Sequence, residues 1–397
     1  MTLGGSLNKR FKNYFDLYPI EVSTNLVDWK PLVTLQRTNS STNALIYADS
    51  EAATSDHRFY RVVTNHLIMP LSQPTGPFPV GMTSRFVTDP TRRNRYGVST
   101  NGSFMVSIWY PAAAEAGKLP GQFEDARLIQ DPVWVACWAA GGFLDRLPYL
   151  RSHAFPDARC AIAQTPYPIL IYSHGRGGAR TEVTGRAPHL ASYGYVVVAM
   201  DHSDAWATLS PDGTCLHGDG SSSSPAGTQD RIQDVELVLD QLPRWNDGDP
   251  ILAGRLDLGH IATMGWSWGA EMAGEVARID ARCKAAIFLD ELFSFVPELV
   301  RFGLQKPVLM IYAEYGDPLL ALKNTQDAVT FQITSIIHVQ LEDHYWLGVP
   351  GDLADSRETA RTLNDYTLWF LNKYLKGIND PIPPPKDYRL VRNFKQK

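Results

Sequence analysis

The chain lacks both a long apolar run and a surplus of charge. None of its 397 residues fall in a run of about 18 apolar residues, the length that a membrane-spanning helix needs. The 37 basic and 42 acidic residues nearly balance, whereas nucleic-acid-binding domains carry a basic surplus. We therefore expect no transmembrane segment and no nucleic-acid partner.

Metal-binding and redox motifs are also missing. The four cysteines stand at positions 137, 160, 215 and 283 without the C-x-x-C spacing of a zinc ribbon or a thioredoxin, which leaves disulfides open. The cluster from Asp201 to Asp204 has too few liganding side chains for a metal ion, and no second cluster completes it. We expect no metal and no cofactor, and we predict that this cluster supports a neighbouring loop.

A G-x-S-x-G pentapeptide from Gly265 to Gly269 is the most informative motif that is present. It follows the apolar run from Ile261 to Met264 and precedes a helix-compatible segment from Ala270 to Asp280. Glycines on both sides of a serine suit a sharp strand-to-helix turn that exposes a nucleophile. Ser267 is therefore a candidate nucleophile, the alternative being an ordinary glycine-rich turn.

Two acidic candidates follow Ser267. The apolar run from Ala285 to Leu289 predicts a buried strand that ends at Asp290. The run from Pro307 to Tyr312 predicts the next strand, and Asp317 comes shortly after it. Open α/β sheets place their functional sites at the carboxyl ends of the strands, so both carboxylates are candidates for an acidic partner.

A histidine completes the order. His344 follows the apolar run from Ile336 to Leu341, and the order serine, acid, histidine is that of the α/β-hydrolases. The adjacent Asp343 is a poor partner for it, because neighbouring residues on a loop seldom point at each other.

A glycine-rich turn lies upstream of the pentapeptide. The run from Pro168 to Ser173 predicts a strand that opens into the turn from His174 to Gly178. Glycines there allow backbone N–H groups to approach a developing oxyanion. The alternative is a phosphate-binding loop, but no Gly-Lys-Ser/Thr closes the motif.

In their order and spacing these motifs resemble the plasma-type platelet-activating factor acetylhydrolase family. Its members are serine esterases of the α/β-hydrolase fold that remove short acyl groups from phospholipids and related esters. The resemblance covers about residues 75 to 377 and includes, besides the motifs above, the segments 76–81, 105–111, 190–195 and 201–204. It implies an α/β fold, with a mostly parallel sheet flanked by helices, over residues 80–397.

The resemblance implies a role for each candidate residue. Ser267 would be the nucleophile, Asp290 the acid and His344 the general base, with an oxyanion hole formed by the N–H groups of Arg176 and Trp268. The chemistry agrees, because a serine hydroxyl is a weak nucleophile until an imidazole, oriented by a carboxylate, takes its proton.

Asp317 stays open as the alternative acid. Many other α/β-hydrolases take their acid from the strand after the one that ends at Asp290. We favour Asp290, and interpret Asp317 as a solvated residue of the turn from Tyr315 to Pro318.

The residues around the serine depart from the family pattern, which usually has His before the serine and Phe after it. Trp266 and Trp268 stand there instead, and a Trp before the serine also occurs in cutinase-like polyester hydrolases. We expect Trp266, with Tyr345 and Trp346 beside the predicted histidine, to form an aromatic substrate pocket. Because Trp266 and Trp268 flank the serine, we also expect both to wall the acyl pocket, and bulky walls predict a preference for short acyl chains of about two to four carbons.

The N-terminal part differs in character from the rest. Residues 1–69 are predicted to form a small β-rich module, and the prolines of residues 70–79 indicate a linker. The strand-like segments of the module are 20–29, 44–47 and 58–63. The module resembles those appended to secreted bacterial proteins. No signal peptide is visible in residues 1–13, so we leave the location open and favour a secreted or periplasmic protein.

The expected function is a serine carboxylic ester hydrolase that acts through an acyl-enzyme on short-acyl esters, including acetylated or oxidised phospholipids. The substrate would thus be a small-molecule or lipid ester. A cutinase-like hydrolase of aromatic polyesters is the first alternative. A peptidase shares the same triad, and only the pocket separates it from an esterase. A non-catalytic binding protein of the same fold is the contrast, although such proteins normally lack a triad member.

Overall fold

The structure is a computed structural model. It describes residues 2–3, 17–36, 45–54, 56–62, 73–89, 102–114, 120–125, 127–138, 151–202, 205–218, 223–291, 293–315, 325, 327–343 and 353–397.

Strands account for most of the architecture. In chain order they are β1 (Thr2–Leu3), β2 (Leu17–Ser23), β3 (Lys30–Gln36), β4 (Leu45–Ile46), β5 (Phe59–Val62), β6 (Val80–Val87), β7 (Phe104–Pro111), β8 (Ala154–Pro156), β9 (Tyr167–Ser173), β10 (Val196–Met200), β11 (Thr208–Leu209), β12 (Cys215–Leu216), β13 (Leu256–Trp266), β14 (Cys283–Leu289), β15 (Val308–Tyr312), β16 (Ala328–Ile333) and β17 (Val391–Gln396). The helices are α1 (Pro132–Trp138), α2 (Ala187–Ser192), α3 (Pro225–Gly248), α4 (Trp268–Ile279), α5 (Pro297–Phe302) and α6 (Leu353–Lys376).

A ten-stranded sheet dominates the described residues, in the order β17-β16-β15-β14-β13-β9-β10-β7-β6-β8. The strands from β16 to β10 in this order are mutually parallel, while β7 and β17 run antiparallel to their parallel neighbours. Because the parallel strands all end at one edge, the loops after β9, β13, β14 and β15 lie together there. The predicted α/β-hydrolase architecture is confirmed.

The two faces of the sheet are covered by different helices. Leu170 and Tyr172 of β9 point into a cluster shared with α2 and α6, whereas Ile169 and Ile171 point into a cluster shared with α3 and α4. This alternation is the two-residue period of a strand that is buried on both faces. All seven residues of β9 are buried, so the central strands form a rigid base for the loops at their ends.

The helices that border this edge begin with recognisable signals. Helix α3 has Pro225 in its first turn, and the Ser224 hydroxyl caps it by accepting a hydrogen bond from the Gly227 N–H at 3.1 Å. Helix α4 begins directly after Ser267. Among the helices of the described residues, none is long and apolar enough to cross a membrane.

A separate three-stranded sheet lies in the N-terminal part, with β2 antiparallel to both β3 and β5. The predicted strand over 20–29 is too long. Strand β2 ends at Ser23, and the Asn25 side chain then accepts hydrogen bonds from the N–H groups of Val27 and Asp28 at 3.0 and 2.8 Å. Such an asparagine turn stops a strand locally.

The proline-rich segment from 73 to 79 contacts the end of α2. The Gly76 N–H donates to the Ser192 hydroxyl at 3.0 Å, and the Phe78 N–H donates to the Ser192 carbonyl at 3.1 Å. The division into a module, a linker and a catalytic domain at residues 69 and 79 stays a prediction.

Candidate active site

Ser267 occupies a sharp turn between β13 and α4. Its φ is 51° and its ψ is −134°, a strained combination for a residue with a side chain. A Cβ on Gly265 would lie 2.1 Å from the Gly269 carbonyl oxygen, and a Cβ on Gly269 would lie 2.1 Å from the Ser173 carbonyl oxygen. The turn therefore requires both glycines of the motif. Ser267 is half-buried while the residues on either side are buried, so its hydroxyl is presented to the site.

The Ser267 hydroxyl is hydrogen-bonded to a histidine, and that histidine to a carboxylate. The Nε2 atom of His338 lies 2.9 Å from Oγ of Ser267. The Nδ1 atom of the same ring lies 2.8 Å from Oδ2 of Asp290. With Asp290 ionised, Nδ1 carries the ring proton and Nε2 is left as the acceptor for the serine proton.

The histidine of this site corrects the sequence prediction. We predicted His344, which lies outside the described residues, whereas the imidazole between Ser267 and Asp290 belongs to His338. The chain turns at Ser335, whose φ is 66°, and then forms a short 3₁₀ helix from His338 to Leu341. That turn brings the first residue of the 3₁₀ helix to the carboxyl edge of the sheet.

Asp290 is fully buried at the end of β14 and is held by backbone amides. Its Oδ1 accepts hydrogen bonds from the N–H groups of Ala313 and Tyr315 at 2.8 and 3.2 Å, and Oδ2 lies 3.4 Å from the Glu314 nitrogen. These amides belong to the loop after β15, so the adjacent strand orients the carboxylate. The alternative acid, Asp317, lies outside the described residues, and the carboxylate that accepts from Nδ1–H of His338 is that of Asp290.

The loop around His338 is fixed from several sides. Its backbone N–H donates to the Glu314 carboxylate at 2.6 Å, and its carbonyl accepts from the Trp266 indole N–H at 3.1 Å. The imidazole contacts two aromatic rings, with centroid distances of 4.8 Å to Trp266 and 4.7 Å to Tyr315. These contacts limit rotation of the imidazole away from Ser267.

The structure agrees only in part with the predicted aromatic pocket. Trp266 lies beside the site, where its ring packs against His338 and against Gly175. The indole of Trp268 is buried and faces α3 instead: its N–H donates to the Thr228 hydroxyl at 2.9 Å, and the Arg231 guanidinium covers its ring. The expectation that this side chain walls the acyl pocket is therefore wrong. The other predicted pocket residues, Tyr345 and Trp346, lie outside the described residues.

The turn after β9 lies next to the serine. Arg176 is exposed at the tip of this turn, between two residues without side chains, and Gly177 has a φ of 69°. The indole of Trp206 packs so closely that a Cβ on Gly177 would lie 2.0 Å from its nitrogen. Trp268 opens α4, and the first N–H groups of a helix have no acceptor within the helix. The backbone amides of Arg176 and Trp268 thus belong to the two segments that border Ser267.

Buried polar groups support the turn from behind. The Glu182 carboxylate accepts from the Tyr172 hydroxyl at 3.1 Å and lies 3.4 Å from the Gly175 nitrogen. Burial raises the pKa of Glu182 well above its usual range. The Asp201 carboxylate accepts from the Arg180 N–H at 2.8 Å and also pairs with the Arg180 guanidinium. Asp201 therefore orients the segment that follows the turn, as the sequence suggested for its cluster.

Sequence reasoning missed His338 because it sits inside an apolar run, next to Ile337 and Val339. The available signal was its distance from the preceding strand. β16 ends at Ile333, and a histidine shortly after the last parallel strand lies at the same edge as Ser267. His344 satisfies that criterion as well, so the local pattern alone does not separate the two.

Comparison with known proteins finds similarity to ester hydrolases. A family model described as platelet-activating factor acetylhydrolase, isoform II, matches residues 148–214. The curated platelet-activating factor acetylhydrolases of Cavia porcellus and Bos taurus are 25% and 23% identical, over 53% of this chain and 58% and 57% of the relatives. The chain thus matches a little over half the length of these relatives.

A solved structure matches more of the chain. The ferulic acid esterase from Streptomyces cinnamoneus superposes with a TM-score of 0.68 and 26% sequence identity, covering 81% of this chain and 98% of that one. The relatives share one enzyme class, carboxylic ester hydrolase, which is the class predicted from the sequence. The predicted resemblance is confirmed: the chain has the α/β-hydrolase fold and is similar to the platelet-activating factor acetylhydrolases.

Proposed function

We propose that this protein is a serine carboxylic ester hydrolase in which Ser267 is the nucleophile, His338 the general base and Asp290 the orienting acid. The hydrogen-bonded series Ser267–His338–Asp290, with distances of 2.9 and 2.8 Å, carries the proposal. A serine in a strained turn, an imidazole with one ring nitrogen that accepts the serine proton and a buried carboxylate are the parts that acyl transfer needs.

In acylation, Oγ of Ser267 attacks the ester carbonyl carbon while its proton moves to Nε2 of His338. The tetrahedral intermediate carries its negative charge on the former carbonyl oxygen, which the N–H groups of Arg176 and Trp268 stabilise at about 3 kcal/mol per donor. His338 then gives the proton to the leaving alkoxide oxygen. The carbon–oxygen bond breaks, the alcohol leaves and the acyl group stays on Ser267.

Deacylation repeats these steps with water. His338 takes a proton from the water molecule, whose oxygen attacks the acyl carbon, and then returns a proton to Oγ of Ser267. Asp290 stays ionised and stabilises the imidazolium that forms twice in the cycle. Its burial and its backbone donors keep the carboxylate in one orientation throughout.

The proposed substrates are esters of short acyl groups, including acetylated phospholipids. The curated relatives are named platelet-activating factor acetylhydrolases, which supports an acetyl or similarly small acyl group. The rings of Trp266 and Tyr315 narrow the space beside His338, and a confined site favours small groups because each further methylene must fit without a clash.

Esters of aromatic acids are the second candidate, including the aromatic polyesters expected from the Trp before the serine. The matched solved structure is named a ferulic acid esterase, and the comparison covers nearly all of that chain. The two aromatic rings at His338 offer a surface on which an aromatic acyl group could stack, with a gain of about 1 kcal/mol beyond its burial.

A substrate panel tests these assignments. Purified protein would be assayed with nitrophenyl esters of rising acyl length, an acetylated phospholipid, methyl ferulate and a soluble aromatic polyester fragment. The highest kcat/KM on two- to four-carbon acyl groups supports the first candidate, and a preference for ferulate or the polyester fragment supports the second. Values that keep rising to ten or more carbons contradict both. No hydrolysis of any member, in protein whose fold is verified, would favour a binding protein.

A further inference from the structure

Several hydrogen-bond donors surround the carbonyl oxygen of Gly175, in the turn that borders Ser267. Nη1 and Nη2 of Arg231 both lie 3.3 Å from this oxygen, and Nδ1 of His174 lies 2.7 Å from it. The Gly178 N–H donates to the same oxygen at 3.2 Å. Few carbonyls receive so many donors, since each oxygen has two lone pairs. The Gly175 carbonyl is therefore held in one direction.

The His174 contribution is that of a neutral ring. The backbone N–H of His202 donates to Nε2 of His174 at 3.1 Å, so Nε2 is the acceptor and Nδ1 carries the proton that points at Gly175. Burial, followed by the nearby Arg231 charge, lowers the pKa of His174 well below its usual range. The ring thus remains a fixed donor across the pH range in which esterases are assayed.

Fixing this carbonyl also fixes the amide of Arg176. The carbonyl of Gly175 and the N–H of Arg176 belong to the same peptide plane, and in a trans peptide they point in opposite directions. With the Gly175 carbonyl directed at Arg231, the Arg176 N–H is directed away from that side chain. Donors on the carbonyl also polarise the peptide, which strengthens its N–H as a donor.

Arg231 also contacts the second segment. Its guanidinium carbon lies 4.1 Å from the centre of the Trp268 ring, and Nη1 donates to the His174 carbonyl at 2.8 Å. The side chain is only 1% exposed and comes from α3, which contributes neither of the proposed oxyanion donors. One rigid side chain thus touches the turn that carries the Arg176 amide and the residue that carries the Trp268 amide.

We propose that Arg231 is a positioning residue that sets the two backbone donors of the oxyanion hole at a fixed separation. The inference rests on the proposed function and deepens it. The planar guanidinium makes this possible because it can bond two carbonyls and cover an aromatic ring at the same time. A lysine keeps the charge but has no planar guanidinium, so we predict that the lysine of Arg231→Lys does not take over the positioning role.

The test compares Arg231→Lys and Arg231→Met with the wild-type protein, using an alkyl trifluoromethyl ketone as inhibitor. This ketone forms a reversible tetrahedral adduct with an active-site serine and places an oxyanion in the hole. The concentration of competent sites would be measured by titration with a nitrophenyl phosphonate, and Ki and kcat would be referred to it. Neither quantity then depends on how much of each variant is folded.

We expect kcat to fall by about 10- to 100-fold in Arg231→Lys and further in Arg231→Met, which is less than or similar to the loss of one oxyanion donor. Ki for the ketone should rise by a similar factor. KM for a short ester should change by less than about threefold, because the neutral ground-state carbonyl uses the hole weakly.

Arg85→Met is the matched control. Arg85 forms an ion pair with Asp249 at 2.6 Å, and its removal should lower thermal stability while leaving Ki and kcat per titrated site unchanged. If both Arg231 variants have the same Ki and the same kcat per titrated site as the wild type, the positioning role is wrong. Failure of the proposed function would appear in a different variant. In that case Ser267→Ala would keep its activity or would still form the adduct with the ketone.

Discussion

The Nε2 atom of His338 lies 2.9 Å from Oγ of Ser267, although the two residues are far apart in the chain. Ser267 follows β13, and His338 follows β16. In the sheet, β14 lies next to β13, and β16 is the third strand from β13 on that side. The parallel arrangement brings both strand ends to one edge, and the loop after β16 reaches back to the serine.

Replacing the serine is the first test. Ser267→Ala removes the proposed nucleophile, and we expect kcat on a short nitrophenyl ester to fall by at least about 10³-fold, the scale of losing a triad member. The substitution removes only the hydroxyl with its hydrogen bond to His338, and alanine fits the same turn. The melting temperature should therefore change little. Activity within tenfold of the wild type would end the assignment of Ser267.

The histidine assignment is tested by two variants of the same chemistry. His338→Asn removes the base between Ser267 and Asp290, and we expect a fall in kcat of about 10³-fold or more. His344→Asn should leave kcat within about tenfold. The reverse ranking would restore the histidine first predicted from the sequence and would mean that the contact of His338 with Ser267 is not used in catalysis.

The predictable part of this site is the part that local sequence determines. Ser267 needs two nearby glycines, and the close approach of Gly265 and Gly269 to backbone atoms explains why the motif is visible in the sequence. Asp290 directly ends a buried strand, so the strand itself marks it. The parallel sheet could likewise be predicted, because β9, β13, β14 and β15 are short apolar runs.

The histidine and the tryptophans could not be assigned in this way. Which of two histidines reaches Ser267 depends on the turn at Ser335 and on the contact between His338 and Glu314, which are tertiary features. Similarly, the sequence places Trp268 beside the serine, but the helical direction of α4 turns its indole towards Arg231 and away from the pocket. Adjacency in sequence does not fix the side of a turn on which a side chain lies.

The acid is tested by a pair of asparagine variants. Asp290→Asn replaces the acceptor of the His338 Nδ1–H with an amide that favours the wrong tautomer, so kcat should drop by about 10⁴-fold. Asp317→Asn should have little effect. Equal losses in the two variants would show that the acid is shared between the loops after β14 and β15, and a larger loss at Asp317 would move the acid to the later loop.

Trp266 offers a test of how the imidazole is held. Trp266→Phe keeps a ring next to His338 but removes the indole N–H that donates to the His338 carbonyl. Trp266→Ala removes both contacts. We expect a moderate fall in kcat for the first variant and a larger one for the second, with smaller changes in KM on acetyl esters. Kinetics on a nitrophenyl acetate series measure both, and a change in KM alone would indicate that the ring only binds substrate.

Stability against pH gives the last prediction, through Glu271 of α4. Its carboxylate accepts hydrogen bonds from the N–H groups of Ser294 and Phe295 at 2.8 and 3.0 Å, yet burial raises its pKa to about 8. The folded protein thus keeps a proton that the unfolded chain releases near its ordinary pKa of 4.5. Folding takes up this proton, so Glu271 lowers the free energy of unfolding as pH rises from about 4.5 to about 8.

Glu271→Gln removes this titration. We expect the variant to be less stable than the wild type near pH 5, because the amide replaces one of the two oxygens that accept from Ser294 and Phe295 with an NH₂ group, which cannot accept. This gap should close as pH rises towards 9. Melting temperatures measured across pH 5 to 9 at constant ionic strength give the difference directly. Glu275→Gln, which removes a partly exposed carboxylate from the same helix, controls for the change in charge. A difference between wild type and Glu271→Gln that stays constant with pH would mean that the buried carboxylate is ionised throughout, held so by the two amides.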